Sequence, residues 1–75
     1  MKKRNLDVRG LEAPEPLEQI LDALDTLRDN EQLDVTHWRD PLLLYPVLTE
    51  AGWQYRTVYN EQDHTYLISI RKASP

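Results

Sequence analysis

The sequence contains no cysteine, and this absence removes several classes of function. Without a thiol the chain can form neither a disulfide nor a thiolate-bound metal site, and it cannot carry out thiol chemistry. Long apolar runs are missing as well: the longest, Leu42–Tyr45, has four residues and ends at Pro46, whereas a helix that spans a bilayer needs about 20. The basic residues at the start, Lys2–Arg4, are followed by polar ones rather than by the apolar stretch of a signal peptide. We therefore expect a cytoplasmic protein without a membrane partner.

Basic residues are fewer than acidic ones, nine against thirteen. The formal net charge is −4 and the isoelectric point is about 5.0. Nucleic-acid-binding proteins usually carry a basic stripe interleaved with aromatic residues. Here the basic residues gather at the two ends, Lys2–Arg4 and Arg71–Lys72, and could form one modest basic corner if the terminal strands are adjacent. The acidic remainder of the chain argues against a nucleic acid partner.

The chain is 75 residues long, which is enough for a single domain. We place this domain at residues 1–75, with an ordered core of about 5–72. No Ser–His–Asp arrangement, phosphate-binding loop or paired-carboxylate pocket can be recognised, and so short a chain rarely encloses a catalytic cavity. We therefore predict a protein that is not an enzyme and that has no cofactor.

The apolar pattern of the first half predicts a strand, a helix and a strand. Residues 5–9 alternate as a short strand that ends at Gly10. After a proline-containing segment, apolar residues at spacings of three and four predict a helix of about three turns. The residues of this stripe are Leu17, Ile20, Leu21, Leu24 and Leu27. Residues 33–38 then alternate as a second strand.

The second half predicts a helix followed by a hairpin. Asp40–Pro41 is typical of a helix start, with Asp as the cap, and Gly52 is typical of its stop. Alternatively, Pro46 marks the true first turn and residues 42–45 form an ordered loop. Residues 53–59 and 64–71 alternate as strands around a loop at 60–63. The order β-α-β-α-β-β predicts an α+β fold, a two-layer α/β sandwich in which a mixed four-stranded sheet carries both helices on one face.

The segment between the first strand and the first helix reads Leu-Asp-Val-Arg-Gly-Leu-Glu-Ala-Pro-Glu-Pro at residues 6–16. Here the chain resembles the TusA-like (SirA-like) family of small sulfur-relay proteins, whose signature is Leu-Asp-x-x-Gly-Leu-x-Cys-Pro-x-Pro. The residues that match the signature's polar and turn positions are Asp7, Gly10, Pro14 and Pro16, and Ala13 stands where the family has its reactive cysteine. The resemblance covers residues 6–72 and implies the same two-layer fold.

Ala13 changes what the resemblance implies about function. In the family the thiol lies near a helix N-terminus, whose dipole stabilises a thiolate and hence a persulfide. A methyl group carries no sulfur, and no other cysteine could take over this role. The resemblance therefore implies a cysteine-lacking branch, in which the domain is a non-catalytic binding or adaptor module linked to redox, sulfur or metal-cofactor metabolism. Pro14 and Pro16 either fix the start of the helix or help to dock a partner.

Two histidines support an alternative function, a small metal- or ligand-binding protein. His37 and His64 share strand parity with inward residues. They could meet at one end of the sheet, with Asp40 nearby, if the second and fourth strands are adjacent. Two imidazoles and a carboxylate can bind a transition metal. The simpler interpretation is two partly buried histidines that are satisfied by their neighbours.

Two surfaces are candidates for binding a protein partner. Trp38 has the outward parity of the second strand, and aromatic residues on an open sheet face would form an association surface. Glu15 and Glu18 belong to an acidic side of the first helix, which is either solvated or a docking surface for a basic partner. We expect an unidentified protein partner to use one of these surfaces.

Overall fold

The structure, a computed structural model, describes residues 2–73. Its strands and helices alternate as the sequence predicts. In chain order they are β1 (Lys2–Asp7), α1 (Glu15–Asp25), β2 (Glu31–His37), α2 (Leu44–Glu50), β3 (Trp53–Asn60) and β4 (Thr65–Lys72). Neither helix is long and apolar enough to cross a membrane within these residues.

The four strands form one mixed sheet in the order β1-β2-β4-β3. β1 and β2 are parallel, whereas β4 is antiparallel to both of its neighbours. Parallel neighbours need a crossover connection, and α1 supplies it between β1 and β2. The predicted α+β fold is confirmed.

The core lies between the sheet and the helices. Alternate residues of β2 and β4 point to the same face, because Leu33 pairs with Ile70 and Val35 pairs with Ile68. Helix α1 buries Ile20 and Leu24 of the predicted apolar stripe. Burial of such a side chain is worth roughly 1.5–3 kcal/mol. The remaining buried apolar residues are Val8, Leu27, Leu44 and Leu48.

The predicted start of α2 at Asp40–Pro41 is wrong. The helix begins at Leu44, and no side chain caps it. Asp40 lies outside the helix, and its carboxylate accepts a hydrogen bond from the Tyr45 hydroxyl instead of from the first backbone N–H groups of α2. Pro46 lies in the first turn, where a missing N–H costs nothing, so the alternative interpretation is closer. Residues 38–43 consequently form a loop.

The predicted strand placement of His64 is also wrong. β4 begins at Thr65, and His64 ends the hairpin loop with a φ of 57°. That left-handed backbone interrupts the strand, so parity with the inward residues of β4 does not apply to His64. The loop is tightened by Asn60, whose side-chain oxygen accepts a hydrogen bond from the Gln62 N–H at 2.9 Å.

Candidate functional site: a cleft at the ends of the parallel strands

A cleft of about 630 Å³ opens beyond the carboxyl ends of β1 and β2. In open sheets with parallel strands this is the usual position of a binding site, and the volume is within the range of known ligand pockets. The cleft is lined by residues 10–14, by Pro16, Leu17 and Ile20, and by residues 37–44. It therefore collects most of the residues that the sequence analysis singled out.

The first wall of the cleft follows β1 and is shaped by Asp7 and Gly10. The Asp7 carboxylate accepts hydrogen bonds from the backbone N–H of Arg9 at 3.0 Å and from its guanidinium at 2.7 Å. These bonds lower the pKa of Asp7 to about 2. Gly10 follows with a φ of 83°, a conformation that a residue with a Cβ adopts at a cost. Both signature residues thus hold the turn that leads to the cleft.

Ala13, Pro14 and Pro16 continue this wall into helix α1. Ala13 and Pro14 are exposed, whereas Pro16 is buried in the first turn. The carbonyl of Pro14 accepts the first helical hydrogen bond, from the Glu18 N–H at 3.1 Å. Ala13 therefore presents to the cleft an exposed methyl group, which has no reactive atom.

The second wall is the loop of residues 38–43, and it exposes large apolar side chains. Leu42 is 68% exposed and Leu43 is 81% exposed, next to the half-exposed Trp38. The Arg39 guanidinium lies 5.8 Å from the centroid of the Trp38 ring. Isolated exposed leucines are ordinary, but a contiguous apolar group beside a cleft indicates a binding surface.

The expectation that Trp38 lies on the open sheet face is wrong. β2 ends at His37, so Trp38 is a loop residue that lines the cleft. The described strands present mainly polar side chains on the open face, together with Val58 and Leu67. The aromatic residues of β3, Trp53, Tyr55 and Tyr59, share the helix-facing side with Ile68 and Ile70.

His37 lies at the base of the cleft and is 7% exposed. Its inward parity is confirmed by its pairing with Tyr66. Its Nδ1 accepts a hydrogen bond from the Arg39 N–H at 3.1 Å, which places the proton of the neutral ring on Nε2. Burial lowers the pKa of His37 below 6.5, and the charge of Arg39 lowers it further. His37 is therefore neutral near pH 7 and fixes the start of the loop.

His64 has a different environment from His37. It is exposed, and its Nδ1 is hydrogen-bonded to the Tyr59 hydroxyl at 3.0 Å. Asp40, the third predicted ligand, is engaged by Tyr45. Among residues 2–73 no group of three or more His, Cys, Asp or Glu side chains is arranged to hold a metal ion.

Tyr45 connects the second wall to β3, a link that sequence reasoning missed. Its hydroxyl donates to the Asp40 carboxylate and lies 2.8 Å from the Thr57 Oγ1. Its ring stacks on Tyr55 with centroids 4.7 Å apart. Burial, reinforced by the bond to Asp40, raises the pKa of Tyr45 to about 12. These contacts fix the far end of the loop, as His37 fixes its near end.

The rim of the cleft is acidic. Among the described residues that line the cleft, Glu12 and Asp40 are acidic, and Arg39 is the one arginine or lysine. Glu15 and Glu18 are exposed in the first turn of α1 but do not line the cleft. Helix periodicity turns them away from Leu17 and Ile20, which do line it, so the predicted acidic side of α1 is a separate surface.

The leucines of the second wall, Leu42 and Leu43, were also missed. The run from Leu42 to Tyr45 was visible in the sequence, but it was assigned to a helix or to an ordered loop without a role. The available signal was its composition, because consecutive leucines after a proline cannot all be buried by so small a core.

The comparison with known proteins identifies a family. No curated protein matches the chain. A family model described as an uncharacterized conserved protein, DUF2249, matches residues 5–72, which is nearly the whole chain and includes both walls of the cleft. The protein therefore belongs to the DUF2249 family.

Proposed function

We propose that the protein is a non-catalytic binding module that holds a segment of a partner protein in the cleft. The observation that carries this proposal is the exposure of Leu42 and Leu43 beside a preformed apolar depression. Side chains of this kind gain free energy when a partner covers them, at roughly 25 cal/mol per Å² of apolar surface. The residues that fix the loop, His37 and Tyr45, keep the surface in place before the partner arrives, which reduces the entropy lost on binding.

The charge of the rim specifies the chemistry of the partner. Glu12 and Asp40 lie among the apolar side chains that line the cleft, with Arg39 as the opposing charge. A complementary segment carries apolar side chains for the cleft and Lys or Arg residues for the rim. Nucleic acid and acidic ligands are disfavoured by the same carboxylates.

An adaptor role on a TusA-like scaffold is part of this proposal. It is supported by the signature-like residues 6–16, which form the first wall of the cleft. Ala13 lies at the position that would carry sulfur, so sulfur transfer is disfavoured and contact with a partner is what remains. A partner from redox, sulfur or metal-cofactor metabolism is the corresponding expectation, and it rests on analogy of fold.

The proposal is tested by selecting ligands from a random peptide library displayed on phage. We expect the immobilised protein to enrich peptides that combine apolar residues with Lys or Arg. The double variant Leu42→Ser/Leu43→Ser should bind the selected peptides at least about tenfold more weakly, because it removes about 1.4 kcal/mol or more of apolar burial. Leu67→Ser is the matched control, since Leu67 is 40% exposed on the open sheet face, away from the cleft.

A charge variant with a matched control tests the role of the rim. Glu12→Gln should weaken binding and reduce its dependence on salt, because exposed charges act mainly through screened attraction. Glu18→Gln removes a charge of α1 outside the lining and should change both less. If the selected peptides are acidic, or if they bind the leucine double variant as tightly as the wild type, the proposed function is wrong.

A further inference from the structure

The two edge strands of the sheet, β1 and β3, differ in how well they are protected against pairing with a strand of another chain. β1 begins with Lys2, Lys3 and Arg4, and a row of like charges discourages an edge strand from pairing with another chain. β3, the opposite edge, has eight residues and one charge, Arg56. It contains no proline, and its register with β4 runs through eight consecutive pairs without a bulge. β3 therefore lacks the devices that normally block strand addition.

Three of the six exposed side chains of β3 are large and mainly apolar. Tyr55 is 40% exposed, Val58 is 53% exposed and Tyr59 is 45% exposed. The backbone groups on the outer side of β3 have no strand partner among residues 2–73. A partner strand would pair these groups and cover the apolar side chains in one step.

We propose that a second copy of this chain occupies the β3 edge, so that two β3 strands pair antiparallel around a two-fold axis in a continuous eight-stranded sheet. The symmetry limits the registers. A two-fold axis perpendicular to the sheet keeps the helix-facing sides of both copies on the same side of the joint sheet. The β3 residue beside this axis then pairs with the same residue of the other copy.

Pairing centred on Arg56 is disfavoured, because it places the two arginines directly opposite each other. Pairing centred on Thr57 avoids this contact and joins residues 54–60 of the two copies. It sets Arg56 opposite Val58 on the open face and Tyr55 opposite Tyr59 on the helix-facing side. Cross-strand aromatic pairs of this kind are favourable. Registers centred on Tyr55 or Val58 pair fewer residues of β3.

The tyrosines are held in place for this contact within one chain. Tyr55 stacks on Tyr45, and the Tyr59 ring lies 4.9 Å from the ring of Tyr66. No residue of β3 lines the cleft, so the dimer leaves the cleft open. The inference therefore stands independently of the proposed function.

The test is sedimentation equilibrium on the wild type and on charge variants of Val58. The wild type should show a monomer–dimer equilibrium. Val58→Lys places a positive charge opposite Arg56 of the other copy, and Val58→Glu places a negative one there. With two such pairs in each dimer, we expect the dissociation constant to rise at least about threefold for Val58→Lys and to fall by a similar factor for Val58→Glu.

Matched controls separate the register from general surface effects. Leu67→Lys alters the neighbour of Val58 on the same face, but β4 is an interior strand, so the dissociation constant should stay within about twofold of the wild type. The double variant Arg56→Glu/Val58→Lys should dimerise more tightly than Val58→Lys alone. A wild type that stays monomeric at every concentration overturns the proposal. A Val58→Glu variant that weakens the dimer as much as Val58→Lys overturns it as well.

Discussion

Several side chains that were candidates for a functional site form hydrogen bonds that hold turns of the fold. The two histidines that could have been metal ligands instead hold turns: His37 accepts an N–H at the start of the cleft loop, and His64 bonds Tyr59 at the end of the hairpin. Asp7, the first acidic residue of the signature-like segment, is paired with Arg9.

The buried His37 makes stability depend on pH. Because the pKa of His37 is lower in the folded protein than its ordinary 6.5, the unfolded chain binds the proton more readily. This contribution to the free energy of unfolding is complete above about pH 6.5 and is lost as the pH falls through that value toward the folded-state pKa. Urea unfolding between about pH 7 and 5 should show a smaller loss of stability for His37→Gln than for the wild type.

Val58→Gln is the control for this measurement, because Val58 is exposed and neither side chain is ionisable. It should reproduce the wild-type slope. Equal slopes for the wild type and for His37→Gln would show that His37 is not held neutral by burial.

Tyr45 should also make the stability of the protein depend on pH, in the alkaline range. Its pKa of about 12 lies above the ordinary 10.0, so the folded state resists forming the phenolate. The stabilisation is present below about pH 10.0 and is lost as the pH rises toward about 12. Tyr45→Phe should remove the part of the tyrosinate absorbance that appears near pH 12 and should lessen the loss of stability over this range. Identical titration curves for the two proteins would contradict the assignment.

Among the elements, the loop of residues 38–43 and helix α2 divide one leucine run between the surface and the core. Leu43 is 81% exposed at the end of the loop, and the next residue, Leu44, is 1% exposed at the start of the helix. The change from exposed surface, the proposed binding surface, to core thus occurs between two adjacent residues of the same type.

This division predicts opposite effects for two adjacent substitutions. Leu44→Ala should lower the free energy of unfolding by about 2–5 kcal/mol, because it leaves a cavity in the core. Leu43→Ala should change it by no more than about 0.5 kcal/mol while weakening peptide binding. Urea denaturation and peptide titration of the two variants measure both effects. A large loss of stability for Leu43→Ala would mean that this side chain belongs to the core and not to the binding surface.

At the scale of the molecule, the sequence predicted the architecture because the architecture depends on local periodicity. The alternation in β2 and β4 and the stripe of α1 are each visible within a few residues, and together they determine the sheet and its inner face. The start of α2 was not predictable in this way. It depends on the Asp40–Tyr45 bond and on contacts of Tyr45 with Thr57 and Tyr55, residues of a strand that follows later in the chain.

The cleft was predicted in its parts but not as a site. The signature-like segment and Trp38 were each singled out, yet Trp38 was assigned to the open sheet face because strand parity was extended one residue too far. The two walls meet because β1 and β2 are parallel neighbours and end at the same edge of the sheet. The parallel pairing of β1 and β2 followed from the predicted fold, whereas the end of β2 at His37, one residue before Trp38, did not.

The central claim, that a partner segment binds in the cleft, is tested most directly by NMR. Isotope-labelled protein is titrated with a selected peptide that carries apolar and basic residues, and the backbone and indole N–H signals are followed. The account predicts that the largest shifts fall on Gly10, the Trp38 indole and residues 42–44. Shifts that fall on the open face around Leu67 and Ser69, with the Trp38 indole unchanged, would contradict it.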